Sequence, residues 1–197
     1  MPDPDTTPGA VPSPDFSPVV IVLASGRGER FLASGGATHK LKALLGGQPV
    51  LARTLAAVRA SGLAWHVEDT GHPGMGDSIA AAVRATADAP GWLILPADLP
   101  LIQPETLRQV AAALAAHPVV VPVFEGQRGH PVGFSAACGP LLQDLKGNSG
   151  AVGVIRSFDA IELIVNDEGT VTDVDTVQDL ARAEQLLAGR TGEAKEH

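Results

Sequence analysis

The sequence predicts one α/β domain built on a parallel sheet, and three observations carry that expectation. Val19–Leu23 is an unbroken, β-branched apolar run, as a strand buried on both faces requires. Trp92–Leu95 is a second such run, and Pro96-Ala97-Asp98-Leu99-Pro100 turns the chain behind it. Amphipathic stretches with stop signals separate the apolar runs. In Pro49–Ser61, for example, Val50, Leu51, Leu55 and Val58 recur at helical spacing before Gly62. A length of 197 residues, 45% of them hydrophobic, suits one large domain with an ample core.

Bulk chemistry excludes several classes. A net charge of −8 argues against a nucleic-acid or membrane-surface binder. It also means that an anionic substrate must be met by local cations and a metal. Cys138 is the single cysteine, so neither a disulfide framework nor a cysteine-rich zinc site is expected. No apolar run reaches membrane-spanning length and the start lacks a basic-then-apolar signal pattern, so a cytoplasmic location is expected.

Taken in order, residues 1–18 are rich in Pro, Asp, Ser and Thr and are expected to be a disordered lead-in to a domain spanning residues 19–189. Strand, glycine turn and the 49–61 helix come first, and Ala64–Glu68 reads as a short strand. Gly74-Met-Gly-Asp-Ser78 then runs into a helix from Ile79 to Thr86. After the Trp92 strand, Pro104 opens a helix to about Ala116, with proline at its first position. Val119–Phe124 reads as a strand, residues 125–129 as a hairpin-like turn, and Gly147–Ala151 as the opening of a helix to about Phe158. Ile161–Val165 is the last strand. Thr176 with Asp179 resembles a capping box for a helix over Val177–Leu187, and residues 190–197 read as a disordered tail.

The chemistry begins at Leu23-Ala24-Ser25-Gly26-Arg27-Gly28-Glu29-Arg30. Glycines let backbone N–H groups approach a ligand closely, and consecutive N–H groups form an anion-binding concavity. Arg27, Arg30 and Lys40 can supply the charge that phosphate oxygens need, so the segment reads as a triphosphate cradle. It is neither a dinucleotide fingerprint, since Phe31 stands where a third small residue belongs, nor a P-loop, since Lys40 lies between His39 and Leu41. Asp98 would sit at the carboxyl end of its strand, where ligands collect in open α/β sheets, and a carboxylate there suits Mg²⁺ against a triphosphate. Alternation puts Asp173 and Asp175 on one face, and one of them should complete the metal site opposite Asp98. Carboxylates so placed would repel one another without a cation.

Five segments together resemble the MobA-like nucleotidyltransferases, and within them the molybdenum-cofactor cytidylyltransferases. They are Leu23–Arg30 with His39-Lys40-Leu41 and Leu45–Leu51, Gly74–Ser78, Leu95–Leu101, Arg128–Phe134 and Asp173–Leu180. The resemblance implies a three-layer α/β/α sandwich of the nucleotide-diphospho-sugar transferase type, with a mostly parallel, Rossmann-like sheet. Only residues 61–75 stand where such relatives carry strand, helix and strand, and a crossover takes roughly ten to twelve residues, so one βα unit is expected to be missing.

The resemblance further implies transfer of CMP from CTP, or a nucleotidyl group from another NTP, to a molybdopterin-type acceptor. Arg30, Lys40 and Asp98 would be catalytic, with Mg²⁺ on Asp98 and Asp175 or Asp173. Leu23 to Gly28, with Gly76 and Ser78, would bind the nucleotide. His130, Pro131, Asn148 and Ser149 would face the acceptor. Partners implied are CTP, the acceptor and, transiently, a molybdoenzyme or its maturation factor, with no nucleic acid and no membrane.

Several readings stay open on sequence alone. Ser78 is either a wall of the nucleotide site or a helix cap, and in a Gly-Asp-Ser esterase it would be the nucleophile, although the tail lacks the Asp-x-x-His such an enzyme needs. His130 either meets the acceptor or holds structure before Pro131. A GTP-using enzyme of the same fold and a non-catalytic binding relative are the remaining alternatives.

Overall fold

A computed structural model describes residues 16–193; the first fifteen residues of the expected lead-in and residues 194–197 of the expected tail lie outside it. Strand β1 (Val19–Leu23) leads through the glycine loop into a one-turn helix α1 (Glu29–Ala33). A tight hairpin, β2 (Leu44–Leu45) and β3 (Gln48–Pro49), precedes α2 (Val50–Ser61). The chain continues through β4 (Trp65–Glu68), α3 (Met75–Ala85), β5 (Gly91–Pro96), α4 (Pro104–Leu114) and β6 (Val119–Phe124). It ends with β7 (Gln127–Arg128), β8 (Val132–Ser135), α5 (Gly139–Gln143), α6 (Val152–Arg156), β9 (Ala160–Ile164) and α7 (Val177–Glu193).

Seven strands form one sheet in the order β4-β1-β5-β8-β6-β7, with β9 also paired to β6. β1 pairs in parallel with β4 and β5, and β6 in parallel with β9, whereas β8 is antiparallel to both β5 and β6. Val119 and Val120 pair with β8 and with β9, so those strands flank β6 on opposite sides. A single strand, β4, stands between α2 and α3 and forms the edge of the sheet, as the short 61–75 segment led one to expect.

Alternation along the central strands divides the core in two. Val20, Val22, Leu93 and Leu95 pack with Val50, Val58, Leu107 and Val110 of α2 and α4 and with Ala183 of α7. Ile21, Trp92 and Ile94 pack on the other face with Ile79 and Val83 of α3, Leu142 of α5 and Val154 of α6. Helices thus cover both faces, which is why β1 and β5 read as continuous apolar runs.

The register sets three strand ends level. Leu23 is the partner of both Glu68 and Pro96, so the loops after β1, β4 and β5 leave the sheet side by side. Two further bonds continue the alignment: Ala24 N donates to Glu68 O (2.8 Å) and Ala97 N to Leu23 O (3.0 Å).

Four local expectations need correction. The glycine loop is followed at once by α1, a helix of five residues whose buried Phe31 anchors it. Helix α3 starts at Met75 rather than Ile79, because Gly74 and Gly76 seat its first turn against the 146–149 loop. A Cβ on Gly74 would lie 2.2 Å from Gly147 C, and one on Gly76 would lie 2.7 Å from Ser149 O. Helix α6 is only five residues long, so the expected helix N-terminus at Gly147–Ala151 is instead an irregular turn. Finally, α7 continues through Gly189 to Glu193, and Arg190, placed by expectation in a disordered tail, donates to Leu101 O (2.6 Å) and to Asp167 Oδ1 (3.2 Å).

Candidate active site

An open cleft of about 900 Å³ lies at the carboxyl ends of β1, β4 and β5. Its floor is the glycine loop. Gly28 caps α1 in the left-handed region (φ 66°), which turns the chain from strand to helix within five residues. The loop is pinned by His39, which sequence reasoning passed over: its Nε2 lies 2.8 Å from Gly26 O, while Nδ1 accepts from Leu41 N at 3.3 Å. His39 thereby fixes the entry to Lys40.

Lys40 is the centre of the site. Its Nζ donates to Asp98 Oδ2 at 2.5 Å and to Asp175 Oδ1 at 2.6 Å, and Arg30 Nη1 reaches Asp175 Oδ2 at 2.5 Å. The Lys40 side chain is only 13% exposed, whereas that of Arg30 is 79% exposed, so the two ion pairs are not equivalent. Burial alone would lower the Lys40 pKa, but the facing Asp98 and Asp175 carboxylates outweigh it and raise it. The repulsion expected between the carboxylates is therefore already answered by a cation of the chain itself.

The last segment is tied to the β5 loop by Val174 N donating to Asp98 O (2.9 Å), which brings Asp175 opposite Asp98. Asp173 stands exposed at the cleft. The desolvation it does suffer raises its carboxyl pKa, and repulsion from Asp98, Asp175 and Asp179 adds to the shift. The capping box forms as expected: Asp179 N donates to Thr176 Oγ1 (3.2 Å) and Thr176 N to Asp179 Oδ2 (2.7 Å).

Two buried polar atoms face no partner in this region, Asp98 Oδ1 and His130 Nδ1. Burial pushes the His130 pKa down, against the attraction of Asp98 and Asp173, so the ring is neutral at neutral pH. On the other side of the glycine loop, Ser25 Oγ lies 2.7 Å from Ser78 Oγ. Ser78 is buried, in the first turn of α3, and its hydroxyl is engaged there rather than exposed as an esterase nucleophile would be.

Most of the expected site residues meet in the cleft: Leu23, Ser25 to Gly28, Arg30, Lys40, Ser78, Asp98, His130, Asn148, Asp173 and Asp175 line it. Ala24, Gly76, Pro131 and Ser149 do not. Gly76 and Pro131 are buried, and Gly76 serves the contact with the 146–149 loop. His72 and Arg128 line the cleft without having been singled out. The signal for His72 was available in Glu68, four residues earlier, at the end of a strand.

Fold and cleft together define an α/β protein that gathers its polar groups where open sheets hold ligands, outside the carboxyl ends of the strands. The MobA-like NTP transferase domain model matches residues 55–163, more than half of the chain, and the chain belongs to that family. Among curated proteins it is 32% identical over 119 residues to the purine catabolism protein PucB of Bacillus subtilis, covering 58% of each. It is 36% identical over 126 residues to 2-C-methyl-D-erythritol 4-phosphate cytidylyltransferase of Frankia casuarinae, covering 52% of this chain and 46% of that one. The chain thus spans about half the length of these curated relatives.

Solved structures share the fold at low identity. The Rv0371c protein of Mycobacterium tuberculosis superposes with a TM-score of 0.73 at 24% identity, covering 86% of this chain and 97% of that one. Its complex with manganese gives a TM-score of 0.69 at 23% identity over 86% and 98%. Molybdopterin-guanine dinucleotide biosynthesis protein A of Archaeoglobus fulgidus gives 0.63 at 17% identity over 87% and 99%. No helix among the described residues is long and apolar enough to cross a membrane.

Proposed function

We propose that the domain transfers a cytidylyl group from CTP to a phosphate-bearing acceptor of the molybdopterin type and releases pyrophosphate. The observation that carries this reading is the contact of Lys40 with both Asp98 and Asp175. It sets the cations suited to phosphate and the carboxylates suited to a metal side by side at the strand ends. The resemblance of the Gly74–Ser78 and Arg128–Phe134 segments to cytidylyltransferases, and the name of the Frankia relative, favour cytosine.

Asp98 and Asp175 fit a divalent cation. A single ammonium reaches both carboxylates, and Asp98 keeps a buried oxygen with no hydrogen-bond partner. Among the described residues no group of three or more His, Cys, Asp or Glu side chains could hold a metal ion. Mg²⁺ bound at triphosphates uses one or two carboxylates and takes its remaining ligands from phosphate and water, so two suffice. Bound there, the ion would neutralise charge on the phosphates. Manganese is the second cation to test, since it is bound in the Rv0371c complex.

In the transfer, an oxygen of the acceptor's phosphate bonds to the α-phosphorus of CTP. The bond from that phosphorus to the oxygen bridging the β-phosphate breaks, and its electron pair leaves with pyrophosphate. The acceptor's phosphate is already ionised near neutral pH, so no side chain has to remove a proton. Lys40 and Arg30 stabilise charge on the leaving group, with Arg27 behind them at the exposed rim. His130, with Nδ1 unpartnered, and Asn148, both in the lining, meet the acceptor. Catalysis of this kind rests on positioning and electrostatic stabilisation.

Pyrophosphate release from CTP, GTP, ATP and UTP, with Mg²⁺ or Mn²⁺ and a set of phosphorylated acceptors, tests the reading. CTP should be the best donor. A GTP preference of about tenfold would overturn the cytidylyl assignment and keep transfer; no release with any pair would overturn transfer itself.

A further inference from the structure

His39 stands behind the glycine loop rather than in the cleft. Gly26, Arg27, Gly28 and Lys40 line the cleft, and His39 does not. A Cβ on Gly28 would lie 3.1 Å from both Cδ2 and Nε2 of His39, so the imidazole packs directly against the loop. The two ring nitrogens have opposite roles. Nδ1 accepts from Leu41 N at 3.3 Å, so it carries a lone pair and the ring proton sits on Nε2. Gly26 O, 2.8 Å from Nε2, can only accept, so this bond runs from His39 to the loop.

The bond also orients the next peptide. Gly26–Arg27 is a trans peptide, so its carbonyl and its N–H point in opposite directions. With Gly26 O drawn back to His39, the Arg27 N–H is turned to the cleft side, and it has no partner among the described residues. Turning that peptide over would set a carbonyl oxygen where the N–H stands and repel an anion. Crowding does not prevent this, because a Cβ on Gly26 would meet nothing within 4 Å and glycine is free to rotate. The restraint on the peptide is the His39 Nε2–H.

We propose that His39 is a positioning residue for the triphosphate: by holding Gly26 O behind the loop it keeps the Arg27 N–H aimed at a phosphate oxygen. This role rests on the nucleotide reading above and adds to it a residue that touches no ligand. It is separate from the placing of Lys40. Lys42 N and Ala43 N both donate to His39 O (2.8 and 3.2 Å), and Asp98 and Asp175 hold the Lys40 ammonium, so neither anchor of Lys40 uses the imidazole.

The test is the affinity for tripolyphosphate with Mg²⁺, measured by calorimetry beside ligand-free melts, in the wild type, His39→Asn and His39→Gln. Asparagine sets an acceptor where Nδ1 stands and no atom where Nε2 stands. Glutamine brings an amide donor to the place of Nε2 and gives up the bond from Leu41 N. His39→Asn should melt close to the wild type yet bind tripolyphosphate at least about fivefold more weakly, since a hydrogen bond to a charged group loses its alignment. His39→Gln should melt lower yet bind within about twofold of the wild type. A merely structural histidine would make affinity follow the melting temperature, with His39→Gln the weaker binder. That order, or equal affinities in the two variants, overturns the role, while binding by the wild type keeps the phosphate cradle. If one variant does not fold, the affinity of the other decides by the same limits. If the wild type does not bind tripolyphosphate, the nucleotide reading falls and this role with it.

Discussion

Lys40 Nζ lies between two carboxylates, 2.5 Å from Asp98 Oδ2 and 2.6 Å from Asp175 Oδ1, in a position that a divalent cation would also satisfy. Removing one partner of a largely buried ion pair leaves the other charges uncompensated. Lys40→Ala should therefore lower stability by about 2 kcal/mol, between the small value of exposed pairs and the larger one of fully buried pairs. Arg30→Ala, at an exposed guanidinium, should change it by less than about 1 kcal/mol. Thermal melts in chelator measure both, and millimolar Mg²⁺ should restore the Lys40→Ala variant more than it stabilises the wild type.

The same two variants separate phosphate binding from folding. Each charge-assisted contact is worth about 1.5–3 kcal/mol. Lys40→Ala and Arg30→Ala should weaken CTP by that amount while leaving CMP nearly unchanged, as calorimetry would record. Equal weakening of both ligands would remove these residues from the outer phosphates.

Asp98→Asn should end Mg²⁺-dependent turnover without unfolding the protein. It should lower the melting temperature of the metal-free protein slightly, because the carboxylate is partnered by Lys40 rather than repelled. Normal turnover by this variant would make the carboxylate structural.

Asp173 gives a pH prediction. Its folded pKa is raised, chiefly by desolvation and by neighbouring carboxylates, so ionisation favours the unfolded chain. The associated stability is present below the unfolded pKa and is lost as pH rises through the folded value. Asp173→Asn should thus be more stable than the wild type at neutral pH, by under about 1 kcal/mol for so exposed a group, and the gain should vanish in acid. Melts across pH 3–7 read this out.

Asp167 is a buried junction. It accepts from Gln103 N, Gln103 Nε2, Thr106 Oγ1, Gly169 N and Arg190 Nη2, joining the start of α4 to α7. Asp167→Ala leaves five donors without their acceptor and should cost about 3 kcal/mol or more in urea unfolding. Arg190→Ala loses one of those bonds and the bond to Leu101 O, and should cost about 1 kcal/mol.

The parts legible in the sequence are those where local pattern and tertiary role agree. β1 and β5 could be read because both their faces are buried, and Asp98 because a carboxylate after such a strand has few other uses. The start of α3 was hidden because Gly74 and Gly76 look like loop residues, whereas their contact with residues 146–149 goes with Gly74 as the extended N-cap and Gly76 in the first turn. Helix α1, at five residues, is too short to show a period. Residues from 190 onward read as a tail, yet the partners of Arg190 lie 89 and 23 residues away in the chain. Likewise, the role of His39 comes from Gly26, thirteen residues before it in the chain, which spacing alone does not assign to it.

Leu23, Glu68 and Pro96 end level, and this separates what the protein needs to fold from what it needs to discriminate. The central strands below that line hold the core, while Ser25, His72 and Asp98 of the cleft lie beyond it outside the strands and helices. Residues such as Ser25 and His72 are therefore open to exchange without disturbing the packing of Ile21 or Leu95. A scaffold arranged in this way can change its choice of ligand through substitutions at a few loop positions, each nearly neutral for stability, while the strands beneath accept almost none.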